Sequence, residues 1–416
     1  MSAYFLKHHR KMNERYDVVI IGGGLAGVFT ALKLIGHDLK ILIIDKILPE
    51  SKNSLGGFTG FSGAKFSLLP AGQGQIPLVG NIEQLKIRTK EVLEVLNLKA
   101  SIHDSEDCSY ISTDKKNLRS YESILLDPNE IDNLLKMLIN KLSSECEIIN
   151  GTATKISKAD SWIVEVESTK MSKSHLKFEC DTIFYAGGRS TNDILVQAGA
   201  QTLDGKGLDL GVRFEFLDKS ATSNLRALGP DAKIIHENCR TFCLNSPGTI
   251  YYYESSGIQI PGGIVAFENE PKSNFAIQCR VRNKASYLPA TLSKIQTISM
   301  ELKQESHIIR TGLPFGDLKS YLEYIYDSSI ANQLEDFCQL LDQRNLIDWS
   351  QQYKVHTPLL DWHWNTYAKP HSHMTSLPNI YVAGDSAGHA RGLLQACLSG
   401  WIAGEEFLNA KSKTYI

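Results

Sequence analysis

Three glycines with the spacing G-x-G-x-x-G, Gly22, Gly24 and Gly27, could hold the pyrophosphate of a dinucleotide. They follow the apolar, β-branched run from Asp17 to Ile21, which suits a buried parallel strand. Gly22 permits a tight turn, Gly24 leaves room for the pyrophosphate, and Gly27 lets the next helix pack close to the sheet. The sequence therefore predicts a helix whose first N–H groups face phosphates.

An acidic residue follows this motif at the distance that such a site requires. The predicted helix, Leu25 to Leu34, leads into a second apolar strand that ends in Asp45, about 20 residues beyond the glycines. Its carboxylate could accept hydrogen bonds from a ribose 2′-OH and would repel a 2′-phosphate. The stretch from Tyr16 to Lys46 is thus predicted to bind a dinucleotide, and it does not by itself separate FAD from NAD.

Three further glycine-rich stretches are placed where the same ligand could reach them. The loop from Ser54 to Gly74 contains six glycines and comes just after the second strand. A buried strand, Asp181 to Ala186, runs into Gly187-Gly188-Arg189-Ser190. Another strand, Asn379 to Ala383, runs into the turn GDSAGHARG and then a helix. Strand ends of this kind are where an open α/β sheet meets its ligand.

The chain of 416 residues exceeds the usual size of a single core, so two domains are expected. We predict an α/β fold with a Rossmann-like dinucleotide domain and a second, mainly β substrate domain. The predicted segments are a flexible tail over 1–15, the dinucleotide domain over 16–198 and 376–412, and the substrate domain over 199–375. Within residues 16–198 of the dinucleotide domain we predict amphipathic helices from Ile82 and from Asp127, and an antiparallel meander from Thr152 to Cys180.

Together these elements resemble the glutathione-reductase-like FAD superfamily, and within it the FAD-dependent dehydrogenase family. The resemblance covers nearly the whole chain after Tyr16. The motifs that carry it are GGGLAG at 22–27, GGFTGFSGAKFS at 56–67, AGGRS at 186–190, GVRFE at 211–215, RTFCLN at 240–245 and VAGDSAGHARGLLQACLSG at 382–400. It implies a glutathione-reductase-like fold, with FAD as the cofactor.

The resemblance also implies which residues contact FAD. Asp45 would bind the adenosine ribose, Asp385 the ribityl or pyrophosphate segment, and the helix starting near Gly392 would stabilise anionic reduced flavin. The implied cofactor-binding residues are Gly22, Gly24, Leu25, Ala26, Gly27, Asp45, Lys46, Gly57, Phe58, Ser62, Gly63, Ala64, Lys65, Ala186, Gly187, Gly188, Arg189, Gly384, Asp385, Gly388, Arg391, Gly392 and Leu393.

Side chains next to the predicted flavin are candidates for catalysis. His389 and Arg391 could act as an acid, a base or a clamp on a substrate carboxylate, and Lys65 is a third candidate. Hydrogen bonding within the turn is the structural alternative for His389 and Arg391. Trp362 and Trp364 would share one face of a strand and line an aromatic substrate pocket.

Other cysteines and histidines are predicted to have structural roles. Cys239 and Cys243 would share a strand face but lie too far apart for a disulfide. Four histidines between His356 and His373 do not match the spacing of a zinc motif, so no metal site is predicted.

Composition excludes several functional classes. A net charge of −2 gives no support for binding nucleic acid or an anionic membrane, and no apolar run is long enough to span a bilayer. The basic first fifteen residues lack the apolar segment of a secretory signal. Eight scattered cysteines without a CxxC pair favour a reducing cytoplasm.

The leading prediction is an FAD-dependent oxidoreductase that transfers hydride between flavin and a small organic substrate. One alternative is a flavin monooxygenase, although the turn GDSAGHARG lacks the proline usual in that group. Another is a non-redox flavoprotein, in which FAD is a scaffold. Because no second G-x-G-x-x-G occurs between Thr152 and Asn379, we expect no dedicated NAD(P)H domain; NAD(P)H, O2, a quinone or a reductase remains possible as the redox partner.

Overall fold

The computed structural model describes residues 14–46, 51, 53–100, 118–120, 122–168, 175–189, 193–203, 207–255 and 257–413. Most of the predicted tail and Ser190 of the AGGRS motif lie outside these residues. Arg15, assigned to the tail, is instead the first residue of a strand and pairs with Glu179.

The structure alternates strands and helices as an α/β protein does. The strands are β1 Arg15–Ile21, β2 Ile41–Asp45, β3 Lys65–Ser67, β4 Leu118–Arg119, β5 Ser123–Leu125, β6 Cys146–Lys158, β7 Trp162–Ser168, β8 His175–Tyr185, β9 Leu208–Phe216, β10 Lys233–His236, β11 Cys239–Asn245, β12 Gly248–Ser255, β13 Ile258–Val265, β14 Ser273–Val281, β15 Ile309–Arg310, β16 Tyr353–Asp361 and β17 Ile380–Val382. The helices are α1 Leu25–Leu34, α2 Ile76–Val79, α3 Ile82–Leu96, α4 Pro128–Leu142, α5 Ile194–Gln197, α6 Ser223–Ala227, α7 Lys284–Thr297, α8 Ser299–Glu305, α9 Leu318–Ile325, α10 Ser328–Gln343 and α11 Leu393–Lys413.

The first sheet carries the predicted dinucleotide unit. Its parallel part has the strand order β6–β2–β1–β8–β17. Strands β1 and β2 are buried on both faces, which explains their unbroken apolar sequences. The later half of β6, β7 and the first half of β8 form the predicted antiparallel meander. Trp162, Val164 and Val166 of β7 alternate with less buried residues and are buried on one face of it.

The two predicted amphipathic helices beside this sheet are confirmed. Helix α3 buries Leu85, Val92 and Leu93 on one face. Helix α4 begins with the predicted capping box, in which the Asp127 carboxylate accepts the Glu130 N–H and the Glu130 carboxylate accepts the Asp127 N–H. The sequence pattern therefore determines both helices locally.

Close backbone contact between α1 and α11 fixes the C-terminal helix on the first sheet. A Cβ on Gly400 would lie 2.0 Å from the Ala26 carbonyl oxygen, so no side chain fits there. The Thr30 hydroxyl contacts the same two backbones, at 2.9 Å from Ala26 O and 3.2 Å from Gly400 O. The start of α11 is thereby held close to the G-x-G-x-x-G turn.

The second sheet is mainly antiparallel and covered by α7 to α10. Among the described residues its strand order is β15–β16–β9–β14–β11–β10–β4. An aromatic cluster of Phe214, Phe216, Phe275, Trp349 and Tyr353 fills its core. Strand β4 comes from the segment predicted for the dinucleotide domain, because residues 118–119 reach across to pair with β10. The predicted domain boundaries stay a prediction.

The predicted fold class is confirmed by this architecture: a parallel α/β sheet of the dinucleotide-binding kind is joined to a β-rich unit. Within the described residues, no helix is long and apolar enough to cross a membrane.

The contact between α1 and α11 gives a first prediction. Gly400→Ala should destabilise the protein by about 1–3 kcal/mol, the usual cost of overpacking, although alanine favours a helix over glycine. Gly316→Ala, where a Cβ would meet no atom within 4 Å, is the matched control and should be near neutral. Urea unfolding of both variants measures the difference, and equal stability would contradict the packing argument.

Candidate functional site

Three strand–glycine junctions meet at the carboxyl ends of the parallel strands. Gly22 has φ +104°, and a Cβ there would lie 2.3 Å from the carbonyl oxygen of Ala186. Gly384 has φ +73°, and its Cβ would lie 2.9 Å from that of Ala26. The Ser386 hydroxyl donates to the Gly188 carbonyl at 3.0 Å. The structure therefore brings the first, middle and last glycine motifs together, as the sequence predicts.

The G-x-G-x-x-G turn has the shape that a pyrophosphate needs. Gly24 has ordinary extended backbone angles, and a Cβ there would meet nothing within 4 Å. Gly27 differs, because its Cβ would lie 1.9 Å from the Gly22 carbonyl oxygen. Leu25 and Ala26 are buried, and no side chain caps the start of α1. Open space at Gly24 and uncapped helix N–H groups together fit a bound phosphate.

Asp45 lies at the end of β2, beside the same turn. Burial raises the pKa of Asp45 to about 6, against the opposing effect of hydrogen bonds from the Gly23 and Lys46 backbones. A carboxylate held this way can accept hydrogen bonds from ribose hydroxyls. The neighbouring Lys46 side chain is exposed.

The glycine-rich loop after β2 is fixed against the turn rather than flexible. The Gly56 N–H donates to the Gly23 carbonyl at 2.7 Å, and Gly24 and Gly56 form an isolated parallel bridge. Gly57 has φ +51°, and a Cβ there would lie 3.2 Å from the Gly24 Cα. The predicted contact of this loop with the cofactor therefore has a structural basis.

The remainder of that loop leads toward the second sheet. The Phe58 ring lies 5.2 Å from the Tyr253 ring, and the Ser62 hydroxyl donates to the Thr59 carbonyl at 2.8 Å. Ala64 is buried with φ +45°, and a Cβ on Gly63 would approach Asn245 at 2.4 Å.

The last junction combines a tight turn with the start of α11. Gly388 and Gly392 both have positive φ, at +82° and +130°. Leu393 at the start of the helix is partly exposed. The Arg189 Nε–H donates to the Asp385 carboxylate at 3.2 Å, which joins the middle and last junctions by an ion pair.

A buried hydrogen-bond chain orients the Gly384 turn from behind. The Ser399 hydroxyl oxygen accepts the Gly384 N–H at 2.9 Å and also forms a hydrogen bond with His373 Nε2 at 3.0 Å. The other nitrogen, His373 Nδ1, then donates to Glu406 at 2.8 Å. Ser399 and Glu406 are seven residues, or about two helical turns, apart on one face of α11, and this spacing can be read from the sequence. The loop position of His373 does not follow from any periodicity.

Residues of the second sheet approach the same junctions. Arg391 forms an ion pair with Asp361, and its guanidinium lies 4.9 Å from the Phe242 ring centroid. The Trp364 ring lies close to two guanidinium groups, at 5.3 Å from Arg189 and 5.7 Å from Arg391. The Trp364 indole N–H also donates to the Asp385 carbonyl at 2.9 Å. An aromatic, cation-rich surface therefore faces the glycine junctions.

The expected strand placement of the two tryptophans is wrong, although their proximity is right. Strand β16 ends at Asp361, and Trp362 adopts a left-handed backbone with φ +58°. The Trp362 and Trp364 rings nevertheless stack at 5.4 Å. The turn, rather than strand alternation, brings them to one side.

The other candidate side chains have definite surroundings. The His389 Nε2–H donates to the Lys369 carbonyl at 2.9 Å, and its ring lies 5.3 Å from that of His373. Lys65, at the start of β3, donates to the Leu244 carbonyl, and burial lowers its pKa. The catalytic roles of His389, Arg391 and Lys65 stay predictions.

The histidines considered for a metal site lie in separate environments. His356 contacts Glu215 and Tyr252, whereas His363 contacts the Ser255 hydroxyl at 2.8 Å. In the part of the chain that the structure describes, no group of three or more His, Cys, Asp and Glu is arranged to hold a metal ion.

Comparison with known proteins identifies the cofactor. Residues 17–69 match the family described as FAD binding domain. This segment contains the G-x-G-x-x-G turn, Asp45 and the start of the glycine-rich loop. The match confirms the prediction of FAD as the cofactor and of an FAD-dependent oxidoreductase. No curated protein matches the sequence.

Solved structures of similar shape include a geranylgeranyl bacteriochlorophyll reductase-like protein from Thermoplasma acidophilum, at 12% identity and TM-score 0.47, over 97% of this chain and 80% of that one. A flavoprotein/dehydrogenase from Cytophaga hutchinsonii aligns at 12% identity and TM-score 0.42, over 95% and 79% of the two chains. OxyS anhydrotetracycline hydroxylase from Streptomyces rimosus aligns at 12% identity and TM-score 0.43, over 95% of this chain and 63% of that one. Such distant likenesses carry no argument about the reaction.

The contrast between two glycines gives a second prediction. Gly24→Val should leave the apoprotein folded, because its Cβ enters open space, and should abolish FAD binding by occupying the pyrophosphate position. Gly27→Val should instead prevent folding, because its Cβ would collide with backbone. FAD titration and thermal unfolding of each apoprotein measure the two effects. A Gly24→Val protein that retains FAD would contradict the assignment.

The raised pKa of Asp45 gives a third prediction. Ribose hydroxyls bond to the ionised carboxylate, so FAD affinity should hold above pH 6 and fall as the pH drops through about 6. The fall should reach at most about tenfold per pH unit, since one proton is taken up. Asp45→Asn should bind FAD more weakly at neutral pH and lose this dependence. Fluorescence titration of both proteins with FAD between pH 5 and 8 provides the test. If FAD affinity depended on pH in Asp45→Asn as it does in the wild-type protein, the assigned role of Asp45 would be contradicted.

Proposed function

We propose that this chain is a glutathione-reductase-like flavoenzyme that transfers hydride directly between FAD and a small organic substrate. The observation that carries the proposal is the Trp364 side chain, which joins the two sheets across the cleft. From just after the end of β16 in the second sheet, its indole N–H bonds to the Asp385 carbonyl and its ring lies 5.7 Å from the Arg391 guanidinium, both in the last glycine junction of the first sheet. Pockets form preferentially at such interfaces, outside the carboxyl ends of parallel strands.

The lining of the cleft supports an aromatic or otherwise planar substrate. Trp362 and Trp364 stack on each other, and Phe61 stacks on Tyr251 at 4.5 Å. Aromatic side chains offer large apolar faces, and guanidinium groups also stack on planar rings. Arg391 would orient a substrate that carries an acidic group, since its side chain is partly exposed.

FAD, when bound, supplies the hydride acceptor or donor, and the chain supplies orientation and electrostatics. The N-terminus of α11, next to Gly392, would present N–H groups and a positive dipole to negative charge on the cofactor. The chain of Glu406, His373 and Ser399 would keep the Gly384 turn in place beneath it. These contacts orient the cofactor, and none of them requires proton transfer.

The proposed domains are 16–198 with 376–412 for FAD and 199–375 for substrate, and the proposed compartment is the cytoplasm. Each described cysteine is a free thiol, in keeping with a reducing environment. Near-neutral net charge supports small molecules rather than nucleic acid as partners.

The redox partner gives a fourth prediction. With one dinucleotide fingerprint and no CxxC pair, the chain should not relay electrons from NAD(P)H through flavin to a disulfide. In anaerobic stopped-flow at the flavin absorbance maximum, NADH or NADPH alone should not produce fast, saturable bleaching. Such bleaching would overturn the proposed route.

Anaerobic stopped-flow also tests which class of substrate reduces the flavin. A planar acid or alcohol that bleaches the flavin anaerobically, followed by reoxidation with O2 or a quinone, is the result expected of hydride transfer. Incorporation of labelled oxygen from O2 into the product would identify a monooxygenase instead. Arg391→Lys, compared with Arg226→Lys on the outer helix α6, should raise KM for acidic substrates selectively.

A further inference from the structure

A cluster of Lys65, Arg213, Cys243 and Asn245, here called the thiol niche, lies beside the proposed cleft. Apart from Lys65, which is also a candidate for the flavin site, its members have no role in the proposed hydride transfer. A bulge between Phe242 and Asn245 interrupts β11 and gives Cys243 a left-handed backbone with φ +47°. The regular strand assumed from the sequence is therefore wrong here. Cys243 is half-buried, whereas the other described cysteines are buried. It is thus the least buried of the described cysteines.

Charge balance in the niche favours an anion at the sulfur. Arg213 is 1% exposed and donates to the Pro261 and Cys243 carbonyls and to Asn274, none of which carries charge. Lys65 donates to the Leu244 carbonyl. Neither cation forms an ion pair with a carboxylate of the described residues. Because buried charges are normally compensated, the Cys243 sulfur is the natural counter-ion for both.

The surrounding charges act mainly in the same direction. Although burial of the thiol opposes ionisation, Arg213 and Lys65 hold the pKa of Cys243 below its usual value, and the Asn245 amide adds a hydrogen bond to the sulfur. Lys233 and Arg391 also interact favourably with this thiolate. The Asp231 carboxylate opposes them, and it is itself paired with Lys233 at 3.5 Å.

A second observation points to a ligand in the niche. Asn245 is 3% exposed, and its Nδ2 lies 3.1 Å from Asn274 Oδ1 and 3.6 Å from the Cys243 sulfur. Its Oδ1, facing Gly63, has no hydrogen-bond partner among the described residues. An unpaired buried acceptor is unfavourable, so a donor from a bound molecule would stabilise it.

We propose that Cys243 is a nucleophilic thiolate and that the niche takes a soft carbon electrophile with an adjacent N–H or O–H donor. The sulfur attacks the electrophilic carbon, an S–C bond forms, and the leaving group departs with its electron pair. The donor bonds to Asn245 Oδ1, while Lys65 and Arg213 hold the sulfur ionised until attack. The inference does not depend on the direction or substrate of hydride transfer.

The test is alkylation of the FAD-bound protein by iodoacetamide, in which iodide leaves, followed by site mapping with mass spectrometry. Cys243 should react at least about 100-fold faster than each buried cysteine. The pH at which its alkylation rate is half-maximal should lie well below about 8.5, where a free thiol titrates. A midpoint at or above that pH, or no reaction at Cys243, would overturn the proposal.

Variants and a second reagent separate the contributions. Lys65→Gln should move the midpoint upward, whereas Lys219→Gln, which removes a surface lysine paired with Glu268, should not. Cys243 should prefer iodoacetamide over N,N-dimethyl-iodoacetamide more strongly than free cysteine does, because only the former has an N–H for Asn245. Equal pH midpoints of alkylation in Lys65→Gln and Lys219→Gln would overturn the role of Lys65. An equal preference for iodoacetamide in Cys243 and free cysteine would overturn the role of Asn245. The wild-type profile decides the proposal even if Lys65→Gln fails to fold.

Discussion

The whole site depends on backbones that approach more closely than any side chain permits. At Gly22, Gly27 and Gly400 an added Cβ would lie 2.3 Å or less from a carbonyl oxygen of another segment. These contacts hold β1, α1, β8 and α11 together and leave the groove above Gly24 open. Because close-packed interiors cannot deform continuously, this geometry is kept whether or not a ligand is present. The open groove above Gly24 is thus mainly a consequence of packing, and the hydrogen bonds and the ion pair among the three junctions reinforce it.

Electrostatics then distinguishes the two ends of that groove. At the proposed adenosine end, half-buried Asp45 supplies an acceptor and lacks a cationic partner among the described residues, which suits neutral hydroxyl donors. At the proposed flavin end, Arg189 and Arg391 are each paired with an aspartate, and the Trp364 ring lies close to both guanidinium groups. Paired guanidinium groups retain donors for a ligand without the full cost of a buried charge.

The thiol niche follows a different rule from the rest of the cleft. Among the described residues, Lys65 and Arg213 form no ion pair with a carboxylate there, and Cys243, with its left-handed backbone, places sulfur close to both. Strained residues persist only where their surroundings hold them, and such sites often have a function. Hydride transfer and nucleophilic attack would then use neighbouring parts of one cleft, each with its own electrostatic arrangement.

The sequence by itself determined the local features whose causes are local. The glycine spacing, the Asp45 position, the capping box at Asp127 and the strand and helix periods were all readable, because each depends on backbone freedom or side-chain alternation within a short segment. The glycine spacing and Asp45 indicated a dinucleotide, and the resemblance of the motifs to an FAD superfamily indicated which one.

Only the tertiary structure decided what depends on residues far apart. The bulge at Cys243, the left-handed turn at Trp362 and the crossing of β4 into the second sheet have no sequence period. The partners His373 and Ser399, and the cations around Cys243, come from separate elements. Their proximity arises from chain packing, and side-chain chemistry depends on that proximity.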